Sequence, residues 1–177
     1  MGTSHRIYWL LGITAVFSGV ALFVTQMGLI KPGIASSEGL RAPGAIAAAI
    51  EDRSLALHSE GIRKALLGDY PNAIADYDRA LMLSPENPEI YYNRAVAHYS
   101  AGHSEQAVQD FDRAIQLQPT MAEAYANRST LHLEIGDPAR ALADGQRAAD
   151  LFEQQGEPGL ATEIRDWLRQ HKIRAIH

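Results

Sequence analysis

The chain has 177 residues, of which 46% are apolar and 21% charged, with a formal net charge of −5; this is globular composition with room for one modest domain and an added segment. It has no cysteine, which excludes disulfides, thiolate metal centres and cysteine nucleophiles. The acidic excess is concentrated in residues 54–155, which hold eight basic and fifteen acidic groups, arguing against nucleic acid or anionic lipid as the main partner of that region.

The first element is the run IYWLLGITAVFSGVALFVTQMGLI, Ile7 to Ile30, uncharged throughout. As a helix it would be about 36 Å long, enough to span a bilayer. A cleaved secretory signal is the competing reading, with Arg6 as its basic flank and Gly33-Ile34-Ala35 near a cleavage site. The apolar run exceeds the roughly 7–15 residues of a signal core, which favours a single-pass anchor over residues 1–30. Too few Lys and Arg flank it to set its orientation. Residues 31–44, KPGIASSEGLRAPG, read as a flexible linker. The helix formers of 45–53, AIAAAIEDR, extend the first helix of the following domain backwards.

From residue 54 the chain repeats itself every 34 residues: DRALMLSP at 78–85 returns as DRAIQLQP at 112–119 and, altered, as QRAADLFE at 146–153. Three units follow, 54–87, 88–121 and 122–155. Large residues fill the fourth position (Leu57, Tyr91, Tyr125), small ones the eighth (Gly61, Ala95, Ser129), and glycine the fifteenth (Gly68, Gly102, Gly136). Alanine fills the twentieth (Ala73, Ala107, Ala141) and the twenty-seventh (Ala80, Ala114, Ala148). Each unit thus offers two apolar-periodic segments around a glycine turn, a helical hairpin that must stack on neighbours to bury its apolar face.

Helix starts are signalled by Asn87-Pro88, by Asp137-Pro138 and by Thr120 with Glu123 as a capping box. In the third unit Glu153 replaces the closing proline, so that helix is expected to run to about Gln155 before Gly156 stops it. Residues 157–174 then place Leu160, Ile164, Trp167 and Leu168 on one face and form a capping helix, in which Trp167 reads as core.

These columns resemble the tetratricopeptide repeat (TPR) over residues 54–155. The resemblance implies an all-α right-handed solenoid of three hairpins with a C-terminal cap, behind the transmembrane helix, in a TPR domain spanning 45–177. Gly145 departs from the pattern, standing where Tyr77 and Phe111 are large, so the third unit is expected to pack less fully. The resemblance further implies a concave groove lined by the first helix of each unit. Its positions here are Leu55, His58, Ser59, Ile62 and Ala65; Glu89, Tyr92, Asn93, Val96 and Tyr99; and Glu123, Ala126, Asn127, Thr130 and Leu133. Asn93 and Asn127 offer a donor and an acceptor to a partner's backbone, and Tyr92 and Tyr99 are candidate anchors.

Chaperone-docking members of the family grip a terminal carboxylate with Lys, Asn and Arg at positions that here hold His58, Ile62, Asn93, Glu123 and Asn127. Only Asn93 matches, and Glu123 would repel a carboxylate, so docking of chaperone tails is not expected. No phosphate loop, His-Glu-x-x-His or nucleophile elbow occurs, and no enzyme activity, cofactor or metal is expected. His98 and His132 share the eleventh position and read as core or boundary residues. Asp76, Asp78, Asp110, Asp112 and Asp144 read as a solvated outer face of the second helices.

The expected function is a membrane-tethered scaffold or adaptor that takes a peptide or helix of a protein partner into the groove. The architecture is similar in style to anchored cyanobacterial TPR proteins, which implies a plasma or thylakoid membrane and a role in assembling a membrane complex; a stable structural subunit of such a complex is the alternative.

Overall fold

The computed structural model describes residues 43–175, with side chains from Gly44 to His171. The expected anchor at 7–30 and most of the linker at 31–44 lie outside the described residues; Pro43 and Gly44 already belong to the first helix. Among the described residues there are seven helices and no strand: α1 Pro43–Leu66, α2 Tyr70–Leu83, α3 Pro88–Ser100, α4 Ser104–Leu117, α5 Ala122–Glu134, α6 Pro138–Gln154 and α7 Pro158–Ala175. None of these is long and apolar enough to cross a membrane.

Each hairpin turn is made by the same backbone device. Gly68, Gly102 and Gly136 sit at φ 79°, 82° and 83°, the left-handed region that a Cβ disfavours. The next residue's N–H then reaches back to the eleventh position: Asp69 to the Lys64 carbonyl at 2.9 Å, His103 to His98 at 2.8 Å, Asp137 to His132 at 2.7 Å. This satisfies a carbonyl that the helix end would otherwise leave bare. Gly156 repeats the device at φ 83°, after α6 has run three residues further than α2 or α4 relative to the repeat.

Helix starts are more varied. Asn87 accepts hydrogen bonds from the backbone N–H groups of Glu89 and Ile90, and Asp137 from that of Arg140, as their Pro-marked positions predict. Thr120 and Glu123 do not form the expected capping box. The helix begins one residue later, with Met121 at the cap and no side-chain bond to its first turn. Burial explains the choice: Met121 is inside the second core cluster, whereas the Thr120 carbonyl accepts from Gln155 Nε2 at 2.8 Å.

The core is a row of three clusters, one per hairpin junction. Tyr77, Leu81, Ile90 and Ala97 form the first; Tyr92, Phe111, Ile115 and Leu131 the second; Phe152, Ala161, Ile164 and Leu168 the third. Each draws on the unit that follows, so no hairpin closes its own core and α7 closes the last. Burying a side chain such as Phe111 stabilises by about 2–3 kcal/mol.

The eighth and twenty-fourth positions trade volume. A Cβ on Gly61 would lie 2.5 Å from the Tyr77 ring, so tyrosine requires glycine there. The second unit pairs Ala95 with the slightly smaller Phe111. In the third the small partner is Gly145, and a Cβ there would meet Leu168 of α7 at 2.6 Å. The looser packing expected at Gly145 is therefore largely filled from outside the unit, by the capping helix.

Candidate protein-binding groove

The first helices α1, α3 and α5 are joined side to side by hydrogen bonds spaced one repeat plus one residue. Asn93 Nδ2 lies 2.8 Å from His58 Nε2, Asn127 Nδ2 donates to the Tyr92 hydroxyl at 3.0 Å, and Tyr99 donates to Glu134 Oε1 at 2.8 Å. The two amides expected to hold a partner's backbone thus spend a donor within the chain. Tyr92 is only 7% exposed and packs tilted against Phe111 at 5.8 Å; it is floor, not a protruding anchor. Burial, then the Glu123 charge, pushes its phenol well above its ordinary pKa.

Of the other groove positions, Glu89 is exposed, while Ile62, Asn93, Val96, Tyr99, Glu123, Asn127 and Thr130 are half-buried and line up along the ladder. His58 is buried against the Tyr77 ring at 5.9 Å. Its burial lowers the imidazole pKa to about 4, which fits a neutral ring accepting from Asn93. An unfolded histidine takes up its proton near pH 6.5. Between those values the unfolded chain binds more protons than the folded one, so stability is full above pH 6.5 and falls as pH drops towards 4. Unfolding free energies from urea titrations between pH 7 and 4.5 should decline, by an amount on the order of 2–3 kcal/mol from this group. His58→Gln should flatten the decline; an unchanged slope would show that His58 does not carry it.

Behind the groove lies a second network, which the sequence reading missed. The solvated acidic face expected on the second helices is corrected by burial: Asp76, Asp110 and Asp144 are 3%, 6% and 8% exposed. Arg94 Nε and Nη2 hold Asp110 at 2.8 and 2.7 Å while Nη1 reaches Asp78 of the preceding hairpin at 2.5 Å. Arg128 repeats this one unit later, with Asp144 at 2.8 Å on both contacts and Asp112 at 2.5 Å. Burial opposes each guanidinium charge, but the paired carboxylates outweigh it and hold both arginines above their ordinary pKa. In the first unit Lys64 pairs with Asp76 instead. Only Asp78 and Asp112 of the five keep the exposed character expected of them.

His98, half-buried, and His132, only 3% exposed, complete these clusters, with Nε2 at 3.8 Å from Asp110 and 3.6 Å from Asp144. Burial lowers both imidazole pKa values against the opposing pull of the carboxylates. Among the described residues, no group of three or more His, Asp or Glu is placed to hold a metal ion.

Family models for the TPR repeat match residues 64–102 and for the tetratricopeptide repeat residues 88–121. The chain carries tetratricopeptide repeats. No curated protein sequence matches it. Among solved structures it is similar to the first TPR domain of Spaghetti bound to the HSP90 peptide SRMEEVD, at 24% identity and TM-score 0.64 over 72% of this chain and 96% of that one. The TPR2B domain of yeast Sti1 in complex with pHsp70 gives 24% and 0.65 over 69% and 98%. PcrH bound to the chaperone binding region of PopD gives 21% and 0.67 over 71% and 95%. At these identities the likeness shows the TPR fold.

Proposed function

We propose that the chain is a non-catalytic, membrane-tethered adaptor whose TPR groove holds a helical or extended segment of a protein partner. The observation that carries this reading is the ladder of first helices. Its internal hydrogen bonds fix the groove before any partner arrives, while Glu89, Val96, Glu123 and Thr130 keep surface beside it. A preformed surface loses little entropy on binding. The related domains of Spaghetti, Sti1 and PcrH, each solved with a peptide or protein ligand, support use of this fold for protein partners. Tethering rests on the uncharged run from Ile7 to Ile30. Together, anchor and groove suit a factor that gathers components of a membrane complex during assembly.

A photo-crosslinking residue placed at Val96, on the groove, or at Gln109, exposed on α4, tests the reading in native membranes. Adducts should form from Val96 and be absent from Gln109. Equal adducts from both positions would refute groove binding.

A further inference from the structure

The ladder changes character at its C-terminal end. Each rung joins the fifth position of one first helix to the sixth of the next: His58 with Asn93, then Tyr92 with Asn127. α7 docks on α6 through a different pairing: its Arg165 holds Asp150 at 3.4 Å and Glu153 at 2.5 Å, both on the preceding helix, whereas Arg94 and Arg128 each hold one aspartate of the preceding helix and one of the following. At the α5–α7 junction Ala126 and Ile164 lie together where a third rung would fall, and the contact is apolar. The aromatic pairs that fill the fifth and twenty-fourth positions of the earlier units, His58 on Tyr77 and Tyr92 on Phe111, become Ala126 and Gly145.

Leu168 fills part of the missing volume. What is left is a notch of about 20 Å³ between α5 and α7, lined by Ala126, Thr130, Leu160, Glu163, Ile164 and Trp167 over Gly145. That is room for the methyl-bearing end of one aliphatic side chain, or for one water. Its hydroxyl groups are already occupied: Ser129 donates to the Ala141 carbonyl at 2.5 Å and Thr130 to the Ala126 carbonyl at 3.3 Å. The lining therefore offers an apolar contact and a single exposed charge, Glu163.

That charge is the last of a series. Among the described side chains on the groove positions of α1, α3 and α5 and around the notch on α7, Glu89, Glu123 and Glu163 are acidic and none is Lys or Arg. An acidic groove ending in an apolar notch selects for the opposite charge beside an aliphatic group.

We propose that the groove's partner is a cationic protein segment that seats one aliphatic side chain, of leucine, isoleucine or methionine type, in the notch between α5 and α7, with a Lys or Arg one helical turn away against Glu163. This rests on the groove-binding reading above and names the chemistry of its partner. It is also the reverse of an acidic peptide such as the SRMEEVD bound by the Spaghetti domain.

The test uses the full-length chain in detergent micelles carrying Trp9→Phe, which leaves Trp167 as the remaining one of two tryptophans. Random twelve-residue peptides displayed on phage are panned against it, and the selected peptides are titrated while Trp167 emission is read. Selected sequences should share an aliphatic residue with Lys or Arg three or four positions away, shift the Trp167 emission, and outcompete SRMEEVD. Glu163→Lys, at an exposed position, should weaken them about tenfold or more. Thr130→Phe, which fills the notch, should do the same with an unchanged thermal melt. Neutral or acidic consensus peptides would overturn the proposal. So would cationic peptides whose affinity and Trp167 signal survive both substitutions; if Val96→Arg still abolishes their binding, the groove reading stands without the notch. Failure to select any peptide sensitive to Val96→Arg overturns both. Self-association abolished by Glu163→Lys would assign the notch to a second copy of the chain and overturn the assignment to a partner.

Discussion

Arg128→Met should lower the unfolding free energy by about 3 kcal/mol or more, a far larger effect than a surface charge deletion. The substitution keeps much of the apolar stem but removes both contacts to Asp144, whose side chain is 11% exposed. A carboxylate stripped of its partner in such a place bears its full desolvation cost, which is why breaking a buried pair costs about 3–5 kcal/mol. Asp112→Ala removes the other end of the same cluster. Its side chain is 46% exposed, so the loss should stay under about 1 kcal/mol. Denaturant titrations of the two variants measure the difference directly. Equal, small losses would mean that Asp144 finds water or His132 as a substitute partner, and that the arginine contributes orientation rather than stability. Removing both Arg128 and Asp144 for a well-packed apolar pair should recover most of the loss, because no orphaned charge remains.

The second large effect is expected at the junction with the cap. Gly145→Leu forces a side chain into the space of Leu168, whose Cδ2 already lies 2.6 Å from an ideal Cβ at that position. Overpacking of this kind costs about 1–3 kcal/mol, and here the yielding element is α7, held mainly through Ala161, Ile164 and Leu168. Leu168→Ala makes the converse error, leaving a cavity that costs about 2–5 kcal/mol. Combined, the two should be less destabilising than their sum by 1 kcal/mol or more, since one supplies the volume the other removes. Amide exchange over residues 158–171 locates the damage: protection of α7 should fall in Gly145→Leu while α3 and α4 keep theirs. Strict additivity would mean that the two side chains do not share the space.

These variants probe features of unequal legibility. Hairpins, glycine turns and the prolonged third closing helix were readable because they depend on residues close in sequence. Period 3.6 marks the helices, a glycine marks each left-handed turn, and Glu153 in place of proline lets α6 continue to Gln154. The burial of Asp110 and Asp144 was not readable in the same way. A carboxylate every 34 residues on a second helix looks like a solvated stripe until the arginine 16 residues upstream is brought against it, and that approach is set by how two helices cross. A signal was present in the exact recurrence of Arg94 and Arg128 with the aspartates. Tyr92 misled for a related reason: its position lines the groove, yet the Phe111 ring and the Asn127 amide draw it inward. The notch lay in two substitutions towards small residues, Ala126 and Gly145, of which only the second broke the expected pattern visibly.

One property of the middle unit follows from the arginine clusters and the ladder together. Residues 88–121 contain Arg94, which grips a carboxylate of its own unit and one of the unit before. They also contain Asp112, which serves the unit after. They contain Asn93, which reaches back, and Tyr92, to which the next unit reaches. Both halves of each junction are thus written in one unit, whereas the first lacks the arginine and the third has Ala126 and Gln146 where the outgoing partners should be. The array is polar in the sense of a toy brick set with one true brick and two end pieces: tandem copies of 88–121 would lengthen it with both the arginine–aspartate contact and the amide rung kept at each new seam.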